Sequence, residues 1–252
     1  MADEWYEGAS FKRTSTFRFG DCDPDKNATL YAIMKLLSEI ACDDYEGRGL
    51  GHAVLQKRSQ AMLVSRLALE IERMPVYGER VIAATWERMT KGPYFYREFE
   101  IKKENGQLLV SGSSLWMLVD PETREILRPE KLVGGNRQMD LRKSNCPDCA
   151  RLKRREGLAV LGERPAYWSD LDANGHVTNA VYGRIATDFL PAEFYAKKLR
   201  DFCVNFNMEV RPDDTLRILG APTENGFFEQ GVTEGDTHYV CEFGFENASV
   251  DN

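Results

Sequence analysis

The sequence predicts an α+β protein in which one unit, an antiparallel sheet wrapped around a long helix, is written twice in tandem. Three observations predict it. The order strand, acidic loop, long helix and four antiparallel strands occurs once before residue 124 and again after residue 156. The two acidic loops align as Asp21-x-Asp23-x-Asp25-x-Asn27 against Asp170-x-Asp172-x-Asn174-x-His176. A further echo sets Glu72-Arg73-Met74-Pro75 against Glu209-Val210-Arg211-Pro212. An internal duplication outranks any local motif as evidence for architecture. Each sheet alone would leave an exposed edge, so the two are expected to join edge to edge or pack as a pseudo-dimer.

Residues 1–10 read as a polar lead-in and 11–19, with Phe11, Phe17 and Phe19, as a strand. After the first acidic loop, Leu30, Ile33, Met34, Leu37, Ile40 and Ala41 recur at helical spacing, and Gly47 to Gly51 ends the helix. Strands are expected at Ala61 to Arg73, Glu79 to Met89, Tyr94 to Lys103 and Gln107 to Val119. Glu104-Asn105-Gly106 is a hairpin signal, and Asp120-Pro121-Glu122-Thr123 closes the run as a turn. Residues 124–156, charged and rich in Arg and Lys, read as a linker crossing the surface. In the second unit Thr178-Asn179 reads as a helix N-cap before Val181, Tyr182, Ile185, Ala186 and Phe189. That helix should reach about Leu190, where Pro191 limits it. Strands follow at Asp201 to Arg211, Thr215 to Gly220, Phe227 to Val232 and His238 to Phe245. The expected division is 1–123, 124–156 and 157–252.

Composition sets limits. Lys and Arg number 33 against 40 Asp and Glu, a net charge of −7 that argues against a general nucleic-acid binder. No apolar run approaches the roughly 18 residues of a membrane span. The start, Met1-Ala2-Asp3-Glu4-Trp5, is acidic and unlike a signal peptide, so a cytoplasmic protein is expected. Of six cysteines only Cys146 and Cys149 form a C-x-x-C, a weak zinc signal, and free cysteines are the better reading. With three histidines, His52, His176 and His238, a multi-histidine metal site is not expected; nor is any cofactor.

Candidate chemistry concentrates at 170–179. In an extended segment alternate side chains share a face, so Asp172, Asn174 and His176 point together. The following helix aims unpaired N–H groups and a positive dipole end at that face. A turn built by Asp, Asn and Gly is the competing reading of the same residues. Only the second copy carries an imidazole, so chemistry belongs there and the first copy is free to shape a pocket.

The stretch Trp168-Ser169-Asp170-Leu171-Asp172-Ala173-Asn174-Gly175-His176-Val177-Thr178-Asn179 resembles the D-L-D-x-N-x-H-V-N-N signature of acyl-acyl-carrier-protein thioesterases, double hotdog-fold enzymes that release free fatty acids. The likeness spans roughly residues 11–246. It implies a thioester hydrolase without cofactor or metal, with Asp172, Asn174, His176 and, on a later strand, Glu209 as catalytic residues. Water would be activated by Glu209 or Asp172. Plant members carry a Cys just after that Glu; here Val210 stands there, which removes a thiol mechanism, and Thr178 replaces the first Asn after His-Val. The resemblance places the acyl chain in the first hotdog, with Ile33, Met34, Leu37, Met62, Val64 and Trp86 as candidate lining, though each is also an ordinary core residue. The implied partner is an acidic acyl carrier protein. Arg151, Lys153, Arg154 and Arg155, with Lys143, Lys12 and Arg13 in support, are the candidate docking charges; a solvated linker face is the alternative. A monomer or homodimer is expected. A hotdog acyl-CoA thioesterase, and less so a non-catalytic acyl-chain binder, are the runner-up readings.

Overall fold

The computed structural model describes residues 3–132, 134–135 and 137–246. The first two residues of the acidic start, positions 133 and 136 of the linker and 247–252 of the second unit lie outside them.

The alternating and β-branched stretches form the strands β1 (Glu4–Glu7), β2 (Ser10–Thr16), β3 (Ala61–Ile71), β4 (Arg80–Lys91), β5 (Tyr94–Lys103), β6 (Leu108–Val119), β7 (Ile126–Leu127), β8 (Ala159–Pro165), β9 (Leu199–Phe206), β10 (Thr215–Thr223), β11 (Gly226–Val232) and β12 (Thr237–Phe245). The stretches with helical spacing form α1 (Leu30–Gly47) and α3 (Asn179–Asp188), with a short α2 (His52–Gln56) between. Among the described residues all strands belong to one sheet, in the order β1-β2-β4-β5-β6-β3-β9-β12-β11-β10-β8, with β7 attached to β6. This order is its own mirror image about the β3–β9 junction, apart from the outermost β1. The two halves therefore join edge to edge: β3 and β9 pair antiparallel, with Leu67 opposite Val204. That closure removes the two inner edges.

One face of the sheet wraps α1 and α3. Ile33, Ile40 and Ala41 of α1 have no accessible surface to speak of, and neither does Ala186 of α3. The helices meet at Gly183, where a β-carbon would lie 2.6 Å from Met34 Sδ; glycine lets α3 come this close to α1 without displacing the Met34 side chain. The opposite face is also covered. The linker lies along it, packing Cys146 and Cys149 against Ala68 and Leu115 and donating the Leu152 amide to Asn205 Oδ1 at 2.9 Å. Burial pushes the Cys146 thiol up to about 12 and the Cys203 thiol beside it to about 11, so these sulfurs act as packing groups. Among the described residues no cluster of ligating side chains suits a metal ion, and no helix is long and apolar enough to cross a membrane.

Three expectations need correction. The lead-in is not plain loop, because Glu4–Glu7 pairs with Ser10–Arg13 as a hairpin. α3 stops at Asp188, short of Leu190. β9 stops at Phe206, because the amides of Asn207 and Met208 both turn to the carbonyl of His238 (2.8 and 3.2 Å) and leave the ladder. Glu209 is therefore not a strand residue. It sits on the short segment that leaves β9, free of the side-to-side alternation that a strand imposes.

Candidate active site

The 170–179 stretch folds as two nested turns. Asp170, almost fully buried, accepts from Arg164 and from the Tyr167 amide. Burial alone would raise its carboxyl, but these donors outweigh it and hold the group below the ordinary carboxylate range. Asp172 closes the second turn: its Oδ1 accepts from the amides of Asn174 (2.8 Å) and His176 (3.4 Å). Gly175 takes φ +78°, which the turn requires. The turn reading and the chemical reading thus describe the same loop. Asp172 is committed to building it, and the loop presents the side chains of Asn174 and His176.

His176 meets Glu209. Its Nε2 lies 3.3 Å from Glu209 Oε2, and both side chains keep a little over a quarter of their surface exposed (29% and 27%), so water reaches them. The segment carrying Glu209 is pinned from three sides. His238 Nδ1 is 3.1 Å from the Glu209 carbonyl oxygen, which can only accept, so Nδ1 carries the proton; His238 Nε2 then faces the Thr233 hydroxyl at 2.9 Å. The Val210 amide donates to the Tyr182 hydroxyl at 3.3 Å. The Val210 carbonyl accepts from Val177, next to His176, at 3.2 Å. Val210 itself is buried and offers no thiol.

Two residues that sequence reading did not assign complete the cluster, and both come from before residue 125. Arg124 Nη1 donates to Glu209 Oε1 at 2.8 Å. His52 Nε2 lies 3.3 Å from Asn174 Oδ1. They stand 85 and 122 positions from their partners, beyond the reach of any periodicity argument. His52 was at least detectable as one of three histidines; Arg124 had no local signal at all.

A small, mostly apolar cavity of about 20 Å³ lies between α1 and the sheet. Met34, Leu37 and Ser38 of α1, Val64 and Leu67 of β3, Phe99, Ser114 and Trp116 line it, with Phe206 and Asn179 from the second half. Asn179 is the first residue of α3, so that helix N-terminus borders the cavity. Of the sequence-predicted lining residues, Met34, Leu37 and Val64 are there. Ile33 is buried in the core and Met62 packs partly buried against it. Trp86 lies elsewhere: on β4 it points away from Val81 and Ala83, under the linker, where its indole donates to the Arg142 carbonyl at 2.7 Å and the Arg142 guanidinium covers its ring.

The predicted basic residues follow the linker on the far face of the sheet. Arg151, Lys153 and Arg154 are exposed. Arg155 packs over Phe228 and pairs with Glu242. None of them touches the His176–Glu209 cluster.

The model of the acyl-ACP thioesterase N-terminal domain (ACP, acyl carrier protein) matches residues 8–132, and that of the family's C-terminal domain matches 162–247. The chain belongs to the acyl-ACP thioesterase family. The dodecanoyl acyl-carrier-protein hydrolase of Cinnamomum camphora is 24% identical over 249 residues, covering 93% of this chain and 63% of that protein. Oleoyl-acyl carrier protein thioesterase 1 of Arabidopsis thaliana is 25% identical, covering 91% and 67%. The chain thus spans about three fifths of the curated relatives it matches first. Among solved structures, the 12:0-ACP thioesterase of Umbellularia californica superposes with a TM-score of 0.82 at 20% identity, over 96% of this chain and 99% of that one. An acyl-ACP thioesterase of Bacteroides thetaiotaomicron gives 0.81 at 23%, over 94% and 98%. These superpositions identify the sheet and its helices as the family's double hotdog.

Proposed function

We propose that the protein hydrolyses the thioester of a fatty acyl chain carried on acyl carrier protein, releasing the free fatty acid and the carrier's thiol. The observation that carries this is the 3.3 Å approach of His176 Nε2 to Glu209 Oε2 beside a cavity lined with apolar side chains. The acyl chain enters by widening the small cavity between α1 and the sheet, and its carbonyl lies at the N-terminus of α3. The Thr178 side chain makes no capping hydrogen bond there, and with the Val181 amide on the Thr178 carbonyl it is the Asn179 and Ala180 amides that are proposed for the oxyanion.

Glu209 is the base in this reading. Asp172 has an oxygen committed to two loop amides, whereas Glu209, with one oxygen on Arg124, turns the other to His176 and solvent. Water held by His176 and Asn174 attacks the carbonyl carbon, and Glu209 takes its proton. The tetrahedral intermediate collapses with cleavage of the carbon–sulfur bond, and the proton held by Glu209 passes to the leaving thiolate. Products are a carboxylic acid and a thiol, with no covalent intermediate. Residues 1–123 shape the acyl pocket, 124–156 link, and 157–252 carry His176 and Glu209. The relatives' names include dodecanoyl and oleoyl chains, so family membership leaves chain length open. The free cysteines favour a reducing compartment, the cytoplasm in our reading.

Thiol release from the same acyl group on carrier and on coenzyme A, followed with a free-thiol reagent, is the test. Faster release from the carrier is expected, with His176→Ala and Asn174→Ala inactive but folded. Preference for coenzyme A would move the protein to the acyl-CoA thioesterases, and no release from either would leave an acyl-chain binder.

A further inference from the structure

We infer that Arg124 is a positioning residue for the reaction: it holds the Glu209 carboxylate at the angle from which Glu209 reaches both water and His176. The inference rests on the reading of Glu209 as the base. Two independent features of Arg124 support it. The first is the geometry of Glu209, whose two oxygens are divided between two partners. Oε1 takes the Arg124 guanidinium at 2.8 Å and Oε2 faces His176 at 3.3 Å. A glutamate side chain can rotate about its own bonds even where its backbone is pinned; anchoring one oxygen sets the direction of the other.

The second is the backbone. Arg124 sits at φ +63°, in the left-handed region where a side chain costs energy and glycine does not. The turn around it is otherwise well made: Asp120 Oδ1 accepts from the amides of Glu122 and Thr123, and the Arg124 amide donates to the Asp120 carbonyl at 2.9 Å. A glycine at 124 would relax that turn. An arginine there bears strain for its own fold while its side chain crosses to the other half and meets the Glu209 carboxylate. Strain kept at a position whose side chain points into a candidate site is a sign of function.

Arg124→Gly, Arg124→Gln and Arg124→Lys test this, with Glu209→Gln as reference. The expected result for Gly and Gln is a fall in kcat of roughly 10- to 100-fold on a small acyl thioester, with KM within about twofold, the loss a misaligned catalytic group produces. Lys, which keeps a cation in reach, should restore most of kcat. The melting temperature of Arg124→Gly should stay level or rise. A purely structural ion pair would show the reverse, lower stability with unchanged kcat, and that result overturns the inference. So does a rise in KM for carrier substrate alone, which makes Arg124 a docking residue. If Glu209→Gln keeps full activity, the reading of Glu209 as base fails instead, whatever Arg124 does.

Discussion

The two copies of the acidic loop fold alike and end differently. In the first, the Asp23 amide donates to the Asn27 carbonyl and Asp23 Oδ1 accepts from the Asn27 amide at 2.8 Å; in the second, Asp172 and His176 do the same. Lys26 takes φ +66° where Gly175 takes +78°. Ala28 donates to the Pro75 carbonyl as Val177 donates to that of Val210. These bonds align Pro75 with Val210, and so Met74 with Glu209. The sequence echo of Glu72 with Glu209 is thus two residues out of structural register. Backbone and turn survive in both halves, while the imidazole and the carboxylate stand only in the second, facing Asn27 and Met74 in the first. Folding needs the loop; the proposed reaction needs the side chains placed on it.

The sharpest way to break this comparison is to delete the paired positions. Glu209→Gln and His176→Ala should each cost about 10³-fold in kcat/KM, within the range for a lost acid–base group. Met74→Ala and Asn27→Ala should leave turnover within about twofold. Equal losses from both halves, read from thiol release, would mean that the first copy is not degenerate.

The duplication, the helices and most strands were legible because each follows a local rule: alternation in β4 to β6, helical spacing from Leu30 to Ala41, Asn-Gly at the hairpin. The candidate loop was legible for the same reason, being ten consecutive residues. What escaped was long-range. Arg124 and His52 reach the site through the β3–β9 junction, and no spacing within either half encodes that contact. Trp86 was misplaced because a buried strand is apolar on both faces when a linker covers its back, so alternation no longer says which face holds the helix. Glu209 was read as strand because nothing local announces that two amides will leave the ladder for one carbonyl.

The next contrast is between two buried charged positions at matching points of the sheet. Arg97 lies opposite Ser114, itself opposite Leu67; Glu229 lies opposite Cys241, itself opposite Val204. Arg97 has a counter-ion, Asp44 at 2.8 Å, and its guanidinium lies over the Tyr45 ring, although its Nε and Nη2 are buried without a hydrogen-bond partner. Among the described residues Glu229 has no cation partner. It takes the Tyr239 hydroxyl at 2.5 Å, and its Oε2 is buried without a partner. Burial pushes its carboxyl well above the ordinary range; the Tyr239 hydroxyl opposes this and Asp188 adds to it. Folded protein therefore keeps a proton that the unfolded chain releases near pH 4.5. Stability falls as pH rises above that value, since the native state binds more protons there. Glu229→Gln should match wild type near pH 4 and be more stable than wild type at pH 8, read as a higher melting temperature there. Parallel curves across that range would show that Glu229 is ionised in the fold.

Helix starts differ in the same sense and by less. Thr29 caps α1, its Oγ1 accepting from the Ala32 amide at 3.1 Å, while Thr178 leaves α3 without a side-chain cap. Thr29→Ala should cost about 1 kcal/mol in urea denaturation, the usual worth of a cap, and Thr178→Ala only a few tenths. Equal costs would mean that the α3 amides are already occupied, which would weaken their assignment to the oxyanion.

The smallest effect concerns surface charge. On the first half Lys12 pairs with Glu7, and Arg13 with Glu39 and Asp43, so little positive field is left. On the linker, Arg151, Lys153 and Arg154 are exposed and, among the described residues, form no ion pair. Arg155 is different: its packing on Phe228 and its pair with Glu242 make it part of the fold, so its reversal would confuse docking with stability. A protein of net charge −7 that recruits an acidic carrier needs a local basic surface, and these three side chains are the free ones. Reversing Arg151 and Arg154 to Glu should raise KM for the carrier-bound substrate about threefold at low salt, with no change on a small thioester. Because exposed charges are screened beyond roughly 8 Å at physiological ionic strength, the gap should close as salt is added. A KM that ignores both the reversal and the salt would place carrier docking away from the linker, on the face that opens to His176.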